Sequence, residues 1–171
     1  CKMISAEYII EKFALEPLPG EGGYFFQTYK SQETIPKSAL PDRYDSERVL
    51  GTAIYYLLTP DSFSALHRLP TDEIYHFYLG DPVTMLQLYP DGKSRTVTLG
   101  QNIVEGHNLQ LVVPKGTWQG SCLAQGGRYA LMGTTMAPGF EFSDLEIGDR
   151  EDLAASYPEQ KDMIYRLTTG V

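Results

Sequence analysis

Ser64-Ala65-Leu66-His67-Arg68-Leu69-Pro70-Thr71-Asp72-Glu73-Ile74-Tyr75-His76-Phe77-Tyr78-Leu79-Gly80 is the stretch on which the reading of this chain turns. It holds two of the three histidines, at positions 67, 76 and 107, and places a carboxylate between those two. Its second half, Ile74 to Leu79, is aromatic and apolar, which suits a pleated, half-buried strand, and Gly80-Asp81-Pro82 ends it as a turn. A strand that begins beside a histidine and a glutamate can carry both into a fold's interior. Strand alternation adds a condition: if the strand already includes Glu73, then Glu73, Tyr75 and Phe77 share one face while His76 and Tyr78 share the other. His76 joins Glu73 only if Glu73 precedes the regular strand or a bulge intervenes.

Working outward, strands of five to eight residues recur between Gly, Pro, Asp and Asn. Gly51 to Leu58 precedes the window; Val83 to Tyr89, Arg95 to Leu99, Asn108 to Val113, Trp118 to Cys122 and Arg128 to Thr135 follow it. Pro90-Asp91-Gly92-Lys93 is a hairpin signal joining two of them. Upstream, Gly22 to Tyr29 reads as a further strand, and Ser5 caps a helix whose apolar residues Tyr8, Ile9, Ile10, Phe13 and Ala14 include i,i+4 pairs. Ser31 to Glu47 carries both charge signs and two prolines without periodicity, and reads as a long loop of the kind often used as a functional flap. Helical spacing returns only after Pro158, with Met163, Ile164 and Leu167 as the apolar stripe.

This order predicts an all-β, double-sheet or barrel architecture with short helices at both ends. The core strands fall at about 22–135 and the helices near 5–15 and 158–167, within one domain over 1–171. At 171 residues, with 42% hydrophobic and 21% charged residues, the chain can bury a real core. Its net charge of −8 is the wrong sign for a phosphate-tracking nucleic-acid binder. No apolar run approaches the length of a membrane span. Two cysteines, Cys1 and Cys122, build no disulfide framework, and with no leader in view a cytoplasmic location is expected.

Imidazole and carboxylate together suit a divalent metal, so His67, Glu73 and His76 are metal candidates. They also suit acid and base catalysis, because a histidine oriented by a carboxylate can accept a proton while a nearby tyrosine donates one. The plain alternative is a turn-capping His67, a solvated Glu73 and a partly buried His76. Tyr24, Tyr56 and Tyr78, with Gln27 from the Gly22 to Tyr29 strand, are ligand-binding candidates, although cross-strand packing accounts for most tyrosines. Trp118 could stack on a flat ring, and Arg68 and Lys115 could bind a phosphate.

The window also resembles the first motif of the cupin superfamily. That motif runs Gly, five residues, His-x-His, three or four residues, Glu, six residues, Gly. Here His67, Glu73 and Gly80 match, and Leu69 stands where the second His would be. Pro114-Lys115-Gly116-Thr117-Trp118-Gln119 resembles the second motif, with Gln119 in the place of its last His. Over almost its whole length the chain resembles a family of small, largely uncharacterised cupins, through the phrases from His67 to Pro82 and from Val113 to Gln119.

The resemblance implies a double-stranded β-helix, the jelly-roll barrel, forming a homodimer with a ligand pocket inside. It adds Gln119 to the pocket and, as a weak amide-oxygen ligand, to a metal set of His67, Glu73, His76 and Gln119 for one weakly bound divalent ion. The expected partner is a small molecule, a sugar phosphate, nucleotide or nucleotide sugar. Three readings stay open: an acid/base epimerase or isomerase with His67, Glu73 and His76 as its catalytic groups, a metal-dependent enzyme with a degenerate site, and a non-catalytic binding module.

Overall fold

The computed structural model describes residues 4–169; Cys1 lies outside them. The chain runs α1 (Ala6–Phe13), β1 (Glu16–Pro17), β2 (Tyr24–Lys30), β3 (Thr34–Ile35), β4 (Arg48–Val49), β5 (Thr52–Leu58), β6 (Phe63–Arg68), β7 (Glu73–Gly80) and β8 (Val83–Leu88). It continues through β9 (Ser94–Leu99), β10 (Gln110–Val113), β11 (Trp118–Leu123), β12 (Ala130–Met136), β13 (Glu146–Ile147), α2 (Arg150–Ser156) and α3 (Lys161–Arg166). Two antiparallel sheets face each other, one in the order β1-β2-β5-β12-β7-β10 and the other β13-β6-β11-β8-β9. The fold is the expected all-β jelly-roll barrel with short helices at both ends.

Three apolar clusters follow from strand alternation. Between the sheets lie Tyr56, Leu58, Tyr75, Phe77, Val83, Met85, Leu123 and Met132. On the outside of the five-stranded sheet, Leu66, Leu86, Leu88 and Cys122 are covered by Leu153 and Ile164 of the C-terminal helices. On the outside of the six-stranded sheet, Leu57 and Leu131 meet Ile9 of α1. Ser5 caps that helix through its side chain, and Ala14 ends it in the left-handed conformation. Both sheets are therefore apolar on two faces, and the helices close the faces that the barrel cannot.

Strand β6 does not alternate regularly, and this sets up the site. His67 pairs with Gln119 and Ser64 with Ser121, so two residues of β6, Ala65 and Leu66, stand opposite Gly120 alone. This bulge restores the inward face three residues after Ser64. Glycine suits position 120, because a Cβ there would stand 3.0 Å from Leu66 Cγ and the leucine side chain would have to give way. The irregular composition that results also explains why Phe63–Arg68 lacks a strand signature in the sequence.

The 31–47 segment, expected as a loop, contains β3, paired with β4, and is pinned to the body. Tyr44 is buried and its hydroxyl lies 2.6 Å from Thr71 Oγ1. Arg48, 1% exposed, meets Asp144 through Nε at 3.0 Å and Nη2 at 2.5 Å, and binds Asp45 and Ser46 as well. Asp144 is itself buried, so this pair joins the segment to the chain that follows β12. Replacing Asp144 with Ala leaves a buried guanidinium short of its main partner and should cost about 3–5 kcal/mol. Urea unfolding is expected to show this as a lower midpoint with an unchanged slope.

Candidate functional site

One end of the barrel interior opens into a narrow cavity. Its wall is formed by Leu18, Phe25, Gln27, Thr52, Ile54, Leu69, Thr134 and Met136, with Phe140 and Phe142 from the segment after β12. Two carboxyl groups face the same space, Glu73 at the first residue of β7 and Glu21 from the turn between α1 and β2.

Glu21 was not singled out in the sequence, and the structure shows how it arrives. It lies in Pro19-Gly20-Glu21-Gly22-Gly23, a turn held against β6 by the Ala65 amide donating to the Glu21 carbonyl at 2.7 Å. Gly22 has φ +96°, and a Cβ there would stand 2.4 Å from the Phe63 carbonyl oxygen, so only glycine lets the turn lie this close. The Ser64 hydroxyl donates to Glu21 Oε1 at 2.7 Å, and His67 Nε2 lies 3.8 Å from Glu21 Oε2. A carboxylate isolated among glycines was the signal available.

His67 is 1% exposed and stands behind Glu21 rather than on the cavity wall. Its Nδ1 is 2.7 Å from the Ala65 carbonyl oxygen in the bulge. A carbonyl only accepts, so Nδ1 carries the hydrogen and the other nitrogen is turned to Glu21. Gln119 plays the matching part for Glu73: it is buried, and Nε2 donates to Glu73 Oε2 at 2.7 Å. Burial first, and then the Glu21 charge, push the Glu73 carboxyl above the usual glutamate range, against the opposing effects of His67, Thr134 and Gln119. Tyr56 and Tyr75 are buried in the same interior, and desolvation raises both phenols. The Tyr56 hydroxyl is committed to the Gly22 carbonyl at 2.8 Å.

The structure thus brings together His67, Glu73, Gln119 and Tyr56, and puts Gln27 on the cavity wall. It does not bring the remaining candidates there. Because β7 begins at Glu73, His76 points to the opposite face, with Nε2 3.0 Å from Thr135 Oγ1 and Nδ1 3.3 Å from the Gln110 amide. Tyr78 shares that outer face and packs edge-on to Tyr55. Tyr24 is outward too, in the cluster under α1. Trp118 alternates away from Gln119, packs under the C-terminal helices and carries the Arg68 guanidinium 4.6 Å above its ring. Arg68 is bonded to Glu146 at 2.6 Å, and Lys115 is exposed beside Asp72, whose carboxylate accepts its backbone amide. Strand parity moved all of these residues but Lys115, which lies in the turn between β10 and β11.

A divalent metal, which the fold family implies, has a poor donor set here. With His76 outside, the expected ligands reduce to His67, Glu73 and Gln119, and Leu69, where the resemblance puts a second imidazole, is an apolar part of the wall. His67 faces Glu21, and the Gln119 amide hydrogens face Glu73. Among the described residues, no three His, Cys, Asp or Glu side chains form a group that could hold a metal ion. The residues present do not fit that role.

An antiparallel double-sheet barrel whose largely apolar cavity carries a few polar groups is the architecture of the cupins. The chain belongs to the family described as Cupin superfamily (DUF985), whose model matches residues 7–148. It is similar to protein SO0799 from Shewanella oneidensis, at 33% identity and TM-score 0.87 over 99% of this chain and 100% of that one. A hypothetical protein from Leishmania major is similar at 30% identity and TM-score 0.87, over 98% and 100% of the two chains. The uncharacterised Saccharomyces cerevisiae protein YML079W is 32% identical over 140 residues, which is 77% of this chain and 70% of that protein. Oxalate decarboxylase from Bacillus subtilis, at 16% identity and TM-score 0.52, over 91% of this chain and 37% of that one, shares the fold alone.

The raised Glu73 couples stability to pH in a definite direction. Its folded-state pKa lies above the ordinary glutamate value of about 4.3. The folded chain therefore keeps a proton that the unfolded chain has already lost, and stability falls as pH rises through that window. Glu73→Gln removes the effect. The variant should gain on the parent above the folded pKa and lose this gain below about pH 4.3. Urea unfolding of both chains from pH 4 to pH 8 measures it.

Proposed function

We propose that this cupin binds a small carbonyl-bearing ligand of the sugar type inside its barrel and moves protons on it, an epimerase- or isomerase-like activity. The observation that carries this reading is the pair of carboxyl groups on one cavity wall in unlike surroundings. Glu73 is desolvated, raised and hydrogen-bonded by Gln119, which suits a general acid. Glu21 receives the Ser64 hydroxyl and faces His67, which suits a general base.

The chemistry closes without a co-reactant. Glu21 takes a proton from the carbon beside the ligand carbonyl, and Glu73 gives its proton to the carbonyl oxygen, leaving an enediol. Reversal at the neighbouring carbon, or on the other face, returns both protons and yields the isomer or epimer. His67 and Gln119 are positioning residues, because they touch the two carboxyl groups rather than the cavity. Leu18, Ile54, Leu69 and Met136 keep water from the reacting groups. The homodimer is part of the same proposal, supported by exposed Phe26, Tyr78 and Val112 on the outer side of the six-stranded sheet.

Incubation of candidate sugars with the protein in heavy water, read by proton NMR, tests the reaction. Deuterium should enter at the carbon beside the carbonyl, and Glu21→Gln or Glu73→Gln should slow this by about 10²–10⁴-fold while binding changes far less. The parent rate should fall as pH rises through the raised Glu73 pKa, because the acid loses its proton there. A sugar that binds in the cavity and never exchanges would leave a binding module in place of an enzyme.

A further inference from the structure

The cavity contains no lysine or arginine among the residues that line it. Of the cations in the bordering segments, Lys30 is held by Glu141 at 3.3 Å, Arg68 by Glu146 at 2.6 Å and Arg48 by Asp144, while Arg43 Nε donates to the Pro70 carbonyl at 2.8 Å. Gln119 is 2% exposed and belongs to the inward face of β11, yet its Oε1 has no hydrogen-bond partner. The Ser121 hydroxyl, on the same face of that strand, is also unpartnered. Glu21 as a carboxylate only accepts. Neither Gln119 nor Ser121 lines the cavity, so of these groups it is Glu21 that meets the N–H or O–H groups of a ligand, and an unmet buried acceptor is costly.

A phosphate presents the reverse. It brings negative charge and further acceptors into a partly desolvated space beside Glu21, where charge repulsion is strong and no guanidinium or ammonium answers it. Phe25, Phe140 and Phe142 complete the wall, the last two edge to face with centroids 5.1 Å apart. Aromatic faces accept the C–H side of a ring or an ammonium group.

Resting on the acid/base reading above, we propose that the ligand is donor-rich and carries no anionic group: an unphosphorylated sugar, a polyol or an amino sugar. Phosphorylated relatives are rejected by the charge of the wall. This departs from the sugar phosphate and nucleotide sugar expected from the sequence, whose candidate phosphate residues Arg68 and Lys115 lie outside the cavity.

The test sets fructose and glucosamine against glucose 6-phosphate and uridine diphosphate glucose, by thermal shift and calorimetry at one ionic strength, on the parent chain and on Glu21→Gln and Gln27→Arg. The uncharged and amine-bearing probes should bind at least about tenfold more tightly than the phosphates. Glu21→Gln should weaken glucosamine more than fructose, and Gln27→Arg, which adds a guanidinium at the wall, should admit the phosphates. Tighter binding of a phosphate by the parent chain overturns the inference, and deuterium exchange on that phosphate would still uphold the acid/base reading. An uncharged sugar that binds but never exchanges has the opposite meaning: the ligand class stands and the catalytic reading falls. Binding of neither class overturns both.

Discussion

A hydrogen bond between the two sheets, from the Gln119 amide to the Glu73 carboxyl at 2.7 Å, is the constraint around which the interior is organised. Glu73 starts β7 in one sheet and Gln119 follows the first residue of β11 in the other. A carboxyl group in a dry interior must be neutral, paired or hydrogen-bonded. Here the last of these holds, and the cost of leaving the bond unmade fixes how the two strands face each other. The same row continues through His67, which pairs with Gln119 in β6, and through Gln87, which pairs with it in β8. Gln87 in turn receives the Arg95 Nε at 3.0 Å. A polar band therefore crosses the inner face of this sheet, and one strand register serves all four residues.

The fold was legible where the chain obeys a single period. Asp91-Gly92 marked the β8–β9 hairpin because the turn chemistry is local, and the aromatic runs at Tyr24–Lys30 and Glu73–Gly80 suit a pleated surface whichever neighbours they find. Strand β6 was not legible, since the bulge at Ala65 and Leu66 breaks the alternation that identifies a strand. Helix α2 escaped for another reason: only seven residues long, it is fixed by Leu153 and Ala154 packing on the sheet rather than by its own pattern. The short β3–β4 pair depends on a buried Arg48 that local sequence presents as one more surface charge.

The site was legible to the extent that it lies within a motif. His67, Glu73 and Gln119 come from two short stretches, and their spacing along the chain is enough to group them. Glu21 comes from a third stretch more than forty residues upstream of His67, and only the Ala65 amide and the close approach at Gly22 bring it in. Long-range contacts of this kind leave no periodic trace. His76, Tyr78 and Trp118 illustrate the complementary problem. Each was grouped with the site by proximity in sequence, whereas a strand sends neighbouring side chains to opposite faces. Proximity to Gln119 therefore placed Trp118 on the outside of the barrel.

Leu69 links the departure from the cupin motif to the chemistry of the wall. An imidazole at this position would face the cavity and supply a donor or a positive charge close to the carboxyl groups. Leucine supplies neither, and it removes water from their surroundings. Both changes act in one direction on Glu73: the charged form loses solvation and gains no cation, so the carboxyl holds its proton more tightly. Glutamine at position 119 is consistent with this, because a neutral amide can donate to the carboxyl without bringing the charge that would lower its pKa strongly. The two departures from the motif thus belong together. One enlarges the desolvation of Glu73 and the other satisfies its oxygen without a charge, and both favour the protonated form of a carboxyl group that shares the cavity wall with Glu21.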